Sequence, residues 1–171
     1  SLNTLQVSVN ALNLLMTKTG NAYFGNIQLN TTGTLILTIS ATDLANNPAS
    51  VNQTYSVSLL NKGAIFGKYT FTGRSANGYL LLTKKNAEIP PNWKLIGDPL
   101  EMILTAGNVE LDVDYNYQSA IHEFSNLPKF HEGKIGMYEL VNGTWVYVGG
   151  QGKNGRMVSK VQTSNSIAIL Y

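Results

Sequence analysis

Apolar and polar residues alternate along most of this chain with a period of two, which is typical of β-strands with one buried face. In residues 35–42, Leu, Leu, Ile and Ala occupy the odd positions, and Ile, Thr, Ser and Thr occupy the even positions. The pattern therefore predicts a half-buried strand there. Further strands are predicted near residues 5–9, 22–29, 54–59, 65–72, 78–84, 100–105, 109–117, 135–141, 144–149, 156–161 and 165–171.

Turn signals at short intervals favour antiparallel sheets. Asn-Gly pairs, which accept the positive φ of two-residue hairpin turns, occur at Asn77-Gly78, Asn142-Gly143 and Asn154-Gly155. Weak helix formers in Tyr117–Leu127 predict one or two helical turns and no full helix. Many short strands without alternating helices indicate an all-β fold of antiparallel β-sandwiches, in preference to a doubly wound sheet.

Charge is distributed unevenly and predicts a domain boundary near Lys62-Gly63. Residues 1–61 contain only Lys18 and Asp43 of the 12 basic and 10 acidic residues in the chain. We expect two tandem antiparallel β-sandwiches, over residues 1–62 and 63–171, the second with a C-terminal meander. The first region is rich in Asn and Thr, and neutral polar surfaces of this kind are common on secreted proteins.

Composition excludes several classes of function. The chain has 171 residues, no cysteine and a formal net charge of +2. A disulfide framework, a thiolate zinc site and a cysteine nucleophile are therefore excluded. Without a dense basic run, no nucleic-acid partner is expected. No stretch approaches the roughly 18 apolar residues of a membrane span, so membrane insertion is not expected either. The start, Ser1–Thr4, lacks the features of a signal peptide, and we expect a piece of a longer chain.

Residues 20–60 resemble the immunoglobulin-like modules that are repeated in bacterial and archaeal surface proteins and secreted enzymes. The resemblance rests on Gly20–Phe24, on Leu35–Ala41 running into Thr42–Pro48, and on Tyr55–Val57. That family has a glycine in the corner after the central strand, where this chain has Asn46. The resemblance implies that Asn46 adopts a left-handed conformation, which asparagine tolerates.

The second region resembles sandwich domains, related to those of ankyrins and netrin receptors, at the C-termini of secreted bacterial proteins. Those proteins include subtilisin-like proteases and surface-layer components. The resemblance rests on residues 87–91, 97–101, 109–115, 138–140 and 143–150. Both resemblances imply an extracellular or cell-surface location and an architectural role, with other domains of the parent protein as partners.

Two oxygen-rich segments are candidate metal sites. Glu110, Asp112 and Asp114 would project from one strand face at intervals of about 7 Å, and calcium is the cation that would suit them. A straight strand splays its carboxylates, however, so pairing with neighbouring lysines is the favoured interpretation. Asp43 and Asn46, with Asn47, form a second candidate in a loop, where turn-forming hydrogen bonds are favoured over a metal.

Two motifs invite a catalytic or nucleotide-binding interpretation, and the pattern favours neither. His122 and His131 are nine residues apart without any compact ligand spacing, so no catalytic role is expected. Gly150–Gly155 matches G-x-G-x-x-G, but a strand follows it where a dinucleotide site requires a helix. A hairpin loop is predicted there.

Aromatic residues provide the remaining candidate site, a sugar-stacking platform formed by Trp93, Trp145 and Tyr147. Tyr115, Tyr117 and Tyr138 are further members of the aromatic set. Trp145 and Tyr147 share one face of a strand, and the size of tryptophan favours Trp145 as a core anchor. Trp93 is the better exposed candidate.

The sequence therefore predicts a non-catalytic spacer or interaction module of a larger secreted or cell-surface protein. The alternative is a carbohydrate-binding or adhesive module that uses exposed aromatic residues to hold a polysaccharide or a cell-surface protein. A third hypothesis is a surface subunit that assembles through its edge strands.

Overall fold

The computed structural model describes residues 2–73, 77–106, 109–127, 130–162 and 164–171, and the chain is all-β with antiparallel sheets, as predicted. One short α-helix, α1 (Ile121–Ser125), and three 3₁₀ turns, at Leu60–Lys62, Gln118–Ala120 and Glu132–Lys134, lie among the strands of the described residues. The strands are β1 (Leu2–Val9), β2 (Leu12–Asn13), β3 (Thr17–Thr19), β4 (Ala22–Phe24), β5 (Gly33–Asp43), β6 (Pro48–Leu59), β7 (Ala64–Phe66), β8 (Tyr69–Gly73), β9 (Tyr79–Lys84), β10 (Leu95–Leu104), β11 (Leu111–Asn116), β12 (Gly136–Val141), β13 (Thr144–Gly149), β14 (Gln151–Lys153), β15 (Arg156–Val161) and β16 (Ser166–Leu170).

The chain divides into two compact units. Unit 1 comprises Ser1–Val57 and unit 2 comprises Ser58–Tyr171. The division falls a few residues before the boundary that the change in charge predicts at residues 62 and 63.

Unit 1 contains an antiparallel sheet in the order β6, β5, β1, β2, together with a separate pair of strands, β3 and β4. In the register of this sheet, Val7 lies opposite Ile39, and Ile39 lies opposite Val51. Because successive side chains point to opposite faces, these three residues share one apolar face. The other face carries hydroxyl and amide groups, including the pair Thr4 and Thr42, whose oxygens are 2.6 Å apart.

The apolar face of unit 1 is only partly buried. Val7 and Leu35 are buried, whereas the side chain of Ile39 remains 37% exposed. Leu15 and Phe24, from the segment between β2 and β5, are also exposed. The strand predicted over 22–29 is shorter in the structure and ends at Phe24.

Unit 2 contains two antiparallel layers with a core between them. One layer has the order β13, β12, β16, β10, β9, and the other has the order β14, β15, β11, β8, β7. Inward-facing residues of both layers form one apolar cluster. Its members include Phe71, Leu82, Leu100, Met102, Val113, Met157, Ile167 and Ile169. The architecture of unit 2 is therefore sandwich-like.

The strand order contradicts the predicted C-terminal meander. The four predicted strands are present, but β12, β13 and β16 lie in one layer and β15 lies in the other. The reason is a corner at Gly149 and Gly150, whose φ values are +137° and +79°. These positive values turn the chain from β13 into β14 of the opposite layer, and few residues other than glycine adopt them.

Local turn predictions are mostly confirmed. Asn142 and Asn154 have φ values of +50° and +52°, each followed by a positive-φ glycine, and Asn46 has φ +61°. Gly150–Gly155 forms the β14–β15 hairpin, and the helical segment is limited to two short pieces, Gln118–Ala120 and α1. Asn77-Gly78 makes no tight hairpin, because β8 and β9 belong to different layers.

Candidate functional site

Three aromatic rings lie together on the outer face of the larger layer of unit 2. Tyr138 of β12 lies opposite Tyr147 of β13, and their ring centroids are 5.4 Å apart. The ring of Trp93 packs against the other side of Tyr138 at 4.5 Å. The structure therefore brings together Trp93 and Tyr147, two of the three aromatic residues that the sequence singles out, through a residue between them.

Trp145 shares the face of Tyr147 but has a different environment. It is 7% exposed and packs with Ala168 and Leu170 under the segment that contains Ala87 and Ile89. Its indole N–H donates a hydrogen bond to the backbone oxygen of Glu88 at 2.9 Å. Trp145 thus anchors a small satellite core, which is the role that its size favours.

The three clustered rings are tilted against one another. The planes of Trp93 and Tyr138 make an angle of 70°, and those of Tyr138 and Tyr147 make an angle of 64°. Tyr147 is 57% exposed, and its hydroxyl donates to the backbone oxygen of Gly150 at 2.7 Å. Edge-to-face packing stabilises the cluster but does not create a single flat platform. Tyr147 offers the most accessible ring.

A groove of about 450 Å³ lies at one end of unit 2. Its lining includes the apolar side chain of Leu95 and the rings of Tyr115 and Phe124. Charged residues form its rim, and two of them, Lys84 and Asp98, form an exposed ion pair with an N–O distance of 3.0 Å. The groove therefore combines apolar side chains with charged groups of both signs.

Two tyrosines close the bottom of this groove and use their hydroxyls for structure. Tyr69 donates to the backbone oxygen of Asp98, and Tyr115 donates to the backbone oxygen of Ile96, both at 2.9 Å. Burial raises the pKa of Tyr115 to about 12, and the negative charge of Asp98 adds to this effect. The hydroxyl of Tyr115 therefore stays protonated at neutral pH and acts as a hydrogen-bond donor to the backbone.

Gly97 makes this arrangement possible. A Cβ atom at this position would lie 2.7 Å from the ring of Tyr115 and 2.8 Å from the hydroxyl of Tyr69. β10 is irregular here, because its register against β16 shifts on both sides of Gly97. The alternation pattern predicts that this strand begins only at residue 100, because Gly97 and Pro99 interrupt the alternation before it.

Asp112 and Asp114 of β11, and Glu110 just before this strand, lie on the outer face of the smaller layer beside basic side chains. Glu110 accepts a hydrogen bond from Lys160 at 2.5 Å, and Asp114 pairs with Arg156 of β15. Asp112 lies opposite Lys160 in the strand register. Within the described ranges, no group of three or more His, Asp or Glu side chains is placed to hold a metal ion. The arrangement agrees with the favoured interpretation of a paired, solvated face.

Asp43 is the centre of a hydrogen-bonded corner in unit 1. Its carboxylate accepts hydrogen bonds from the backbone N–H of Ala45 at 2.8 Å and from the backbone and side-chain nitrogens of Asn47 at 2.9 and 2.8 Å. The hydrogen bonds from Asn47 are the main reason that the pKa of Asp43 lies below its usual value. The side-chain oxygen of Asn46 accepts from Asn3 at 3.0 Å. These contacts use the oxygens that a calcium ion would need.

The two histidines lie in different short elements and take part in different local hydrogen bonds. His122 is exposed on α1, and its backbone oxygen accepts a hydrogen bond from Ser125 at 3.0 Å. His131 precedes the short turn Glu132–Lys134, and its Nδ1 accepts from the backbone N–H of Gly133 at 3.2 Å. The local hydrogen bond assigns His131 a capping role at this turn.

Glu132 is a structural residue that the sequence analysis does not single out. Its carboxylate accepts hydrogen bonds from the hydroxyl of Tyr117 at 2.6 Å and from the backbone N–H of Gly155 at 2.5 Å. Burial acts to raise the pKa of Glu132, but hydrogen bonds from Tyr117, Gly155 and Asn154 outweigh it and hold the pKa below its usual value. Glu132 therefore connects the end of β11 to the β14–β15 turn. No local motif marks this role, because its partners are distant in sequence.

No family model, curated protein or solved structure matches this chain. In the described part of the chain, no helix has both the length and the apolar character needed to span a membrane.

Proposed function

We propose that this chain is a non-catalytic structural module, a spacer or interaction region, of a larger secreted or cell-surface protein. Its partners are then the other domains of that parent protein. In this proposal, unit 1 is an immunoglobulin-like module and unit 2 is a second sandwich. The strand alternation of both units and the left-handed Asn46 corner of unit 1 support this assignment.

One observation carries the proposal: the buried polar groups are used to hold the fold together. Among the described side chains, no fully buried nitrogen or oxygen atom lacks a hydrogen-bond partner. Tyr69, Tyr115 and Trp145 each donate to a backbone oxygen. A catalytic centre needs polar groups directed toward a substrate, whereas these donors are already engaged by the backbone.

The surface chemistry of unit 1 supports an extracellular setting. The polar face of its sheet, opposite the apolar face, carries neutral groups that water can solvate. Examples are the pairs Thr4–Thr42 and Ser40–Ser50, whose hydroxyl oxygens are 2.6 and 3.0 Å apart. Such a face interacts with water without attracting charged macromolecules. Proteolytic shaving of intact cells of the source organism would test this location, and release of fragments from this chain is the expected result.

Assays of hydrolysis test the absence of catalysis. The purified chain is incubated with ester, peptide and glycoside substrates beside the variants His122→Gln and His131→Gln. We expect rates equal to the buffer rate for all three proteins, because neither imidazole lies in a catalytic arrangement. Turnover by the wild-type chain that is lost in either variant would overturn the proposal.

Carbohydrate binding is the second candidate, and the cluster of Trp93, Tyr138 and Tyr147 is the observation that favours it. Aromatic rings on a rigid sheet can stack against the apolar faces of sugars, and Tyr147 is more than half exposed. The tilt between the rings limits this candidate to a small contact centred on Tyr147. Polysaccharide is then the partner.

Depletion from solution by insoluble cellulose, chitin or peptidoglycan tests this candidate. If Tyr147 stacks on sugar, Tyr147→Ala abolishes retention, while Tyr147→Phe preserves it because the ring remains. The phenylalanine variant also controls for loss of the hydrogen bond to Gly150. Absence of retention of the wild-type chain on every polymer, or equal retention of the alanine variant, would remove this candidate.

A further inference from the structure

We propose that β13 is an assembly edge through which two copies of this chain join their larger layers into one continuous antiparallel sheet. β13 is the outermost strand of that layer and pairs with β12 on one side. Thr144, Val146 and Tyr147 of this strand are exposed. This inference is independent of the proposed spacer function.

The backbone of β13 directs hydrogen-bonding groups away from β12 at alternate residues, and no other strand of the described residues pairs with this edge. The two-residue turn Asn142-Gly143 makes Val141 and Thr144 a hydrogen-bonded pair, and such pairs alternate along an antiparallel ladder. Trp145 and Tyr147 therefore fall in the non-hydrogen-bonded pairs with β12. Their backbone N–H and C=O groups point away from β12, toward the open edge, where a further strand would bind.

Apart from a bulge at Val148, near its end, β13 lacks the features that usually protect an edge strand. Proteins protect edges with charge, proline or very short strands. The other layer follows this rule, since its edge strands β7 and β14 have three residues each and β14 ends with Lys153. β13 has six residues, and the chain carries no charged residue from Leu140 to Gly152.

A second copy is the occupant that fits the side chains of β13. In a two-fold pair that extends the sheet, residues directly opposite each other must lie on the same face. The axis then passes through Val146, because a bulge at Val148 interrupts the regular pairing that an axis through Tyr147 would need. This register places Trp145 opposite Tyr147 on one face. On the other face Val146 meets Val146 of the second copy, so the strand is complementary to itself.

The absence of charge is consistent with this choice of occupant. Two identical strands with a lysine or glutamate at the edge would repel each other, whereas two neutral strands meet without this cost. A single pair of six-residue strands buries a small area, below that of standard stable interfaces. We therefore expect a weak dimer, with a dissociation constant in the range of about 10 µM to 1 mM.

Sedimentation velocity at increasing concentration tests the proposal with Val146→Lys and a matched control. Val146 and Val158 are exposed strand valines, with exposed fractions of 45% and 57%, and Val158 lies on the other layer. We expect the wild type and Val158→Lys to dimerise alike. Val146→Lys should remain monomeric over the same range, because two lysines then face each other at the edge.

A charge-swap experiment separates self-pairing from other consequences of the substitution. Val146→Lys and Val146→Glu should each be monomeric alone, while an equimolar mixture should recover dimer because opposite charges then meet. Unfolding midpoints of both variants equal to that of the wild type establish that the fold is intact. A monomeric wild type at about 1 mM, or dimerisation that Val146→Lys leaves unchanged, would overturn the proposal.

Discussion

Unit 1 and unit 2 share the same strand alternation but bury very different amounts of their apolar surface. In unit 2, two layers enclose a cluster that contains residues such as Phe71, Val113 and Ile167, all at most 1% exposed. In unit 1, Ile39 sits at the centre of the apolar face and is still 37% exposed. Alternation therefore specifies that a strand has an apolar face, while a second layer decides how completely this face is buried.

The two units also differ in the kind of polar group that they expose to water. Unit 1 carries two charged residues, Lys18 and Asp43, and relies on hydroxyl and amide pairs. Unit 2 carries ion pairs on its surface, such as Lys160 with Glu110. The stability of unit 2 should therefore respond to salt and to core truncation, whereas the stability of unit 1 should respond little to either.

The largest difference is expected from matched truncations of isoleucine. Ile167→Ala in unit 2 should lower the free energy of unfolding by about 2–5 kcal/mol, because Ile167 is fully buried. Ile39→Ala in unit 1 should cost only about 1 kcal/mol, because its side chain is partly solvated already. Urea unfolding followed by far-UV circular dichroism measures both free energies. Equal losses would contradict the difference in burial between the two units.

Matched glycine substitutions should give the next largest effect. Gly97→Ala should cost about 1–3 kcal/mol, because the new Cβ meets the ring of Tyr115 at 2.7 Å and the core must shift. Gly20→Ala in unit 1 has no atom within 4 Å of its new Cβ, so only the strain of φ +61° remains, about 1 kcal/mol. Gly97→Ala should also change the near-UV dichroism of the tyrosines. An unchanged spectrum would contradict the close approach.

Acid should act on both units through carboxylates with lowered pKa values. Glu132 in unit 2 and Asp43 in unit 1 bind protons less readily when folded. Their stabilisation is therefore complete above their unfolded pKa values, near 4.5 and 3.8, and is lost as the pH falls through the folded values. Glu132→Gln should cost about 1 kcal/mol at pH 7 and flatten the pH dependence below about pH 4.5.

Unfolding midpoints measured from pH 7 to pH 2 provide the test of this acid sensitivity. Asp43→Asn serves as the counterpart in unit 1 and should flatten the dependence at a lower pH, with a smaller effect. If Glu132→Gln keeps the full pH dependence of the wild type, its hydrogen bonds with Tyr117 and Gly155 do not provide the linkage.

Salt should produce the smallest effect. The exposed ion pair of Lys160 and Glu110 contributes little, and counterions screen it. Lys160→Gln should lower the urea midpoint slightly at low salt and not at all at high salt. Thr42→Val in unit 1, which removes a neutral pair with Thr4, should give a shift that is independent of salt. A salt-dependent shift in Thr42→Val would contradict the assignment of neutral solvation to unit 1.

Much of the fold can be predicted from the sequence because period-two alternation and Asn-Gly turns are local signals. β5, β11 and the β14–β15 hairpin follow from them directly. The start of β10 does not, because Gly97 and Pro99 interrupt the alternation where the strand is irregular. The turn at Asn10 and Ala11 is also missed, since alanine gives no signal for its φ of +66°.

The candidate site is harder to predict because it depends on contacts that are distant in the chain. Trp145 and Tyr147 are equivalent in the alternation pattern, yet one is buried and the other is exposed. The difference arises from the segment containing Ala87 and Ile89, which covers the ring of Trp145. Likewise, the partners of Glu132 are Tyr117, just after β11, and Gly155, in the β14–β15 turn. No local sequence pattern predicts either contact.

The position of β16 has a consequence for biosynthesis. This strand, residues 166–170, is inserted between β10 and β12 and bonds to both. During translation, the larger layer of unit 2 therefore has a gap at its centre until these residues leave the ribosome. A nascent chain that stalls before residue 166 would expose the facing edges of β10 and β12 to chaperones, while unit 1 has by then already emerged.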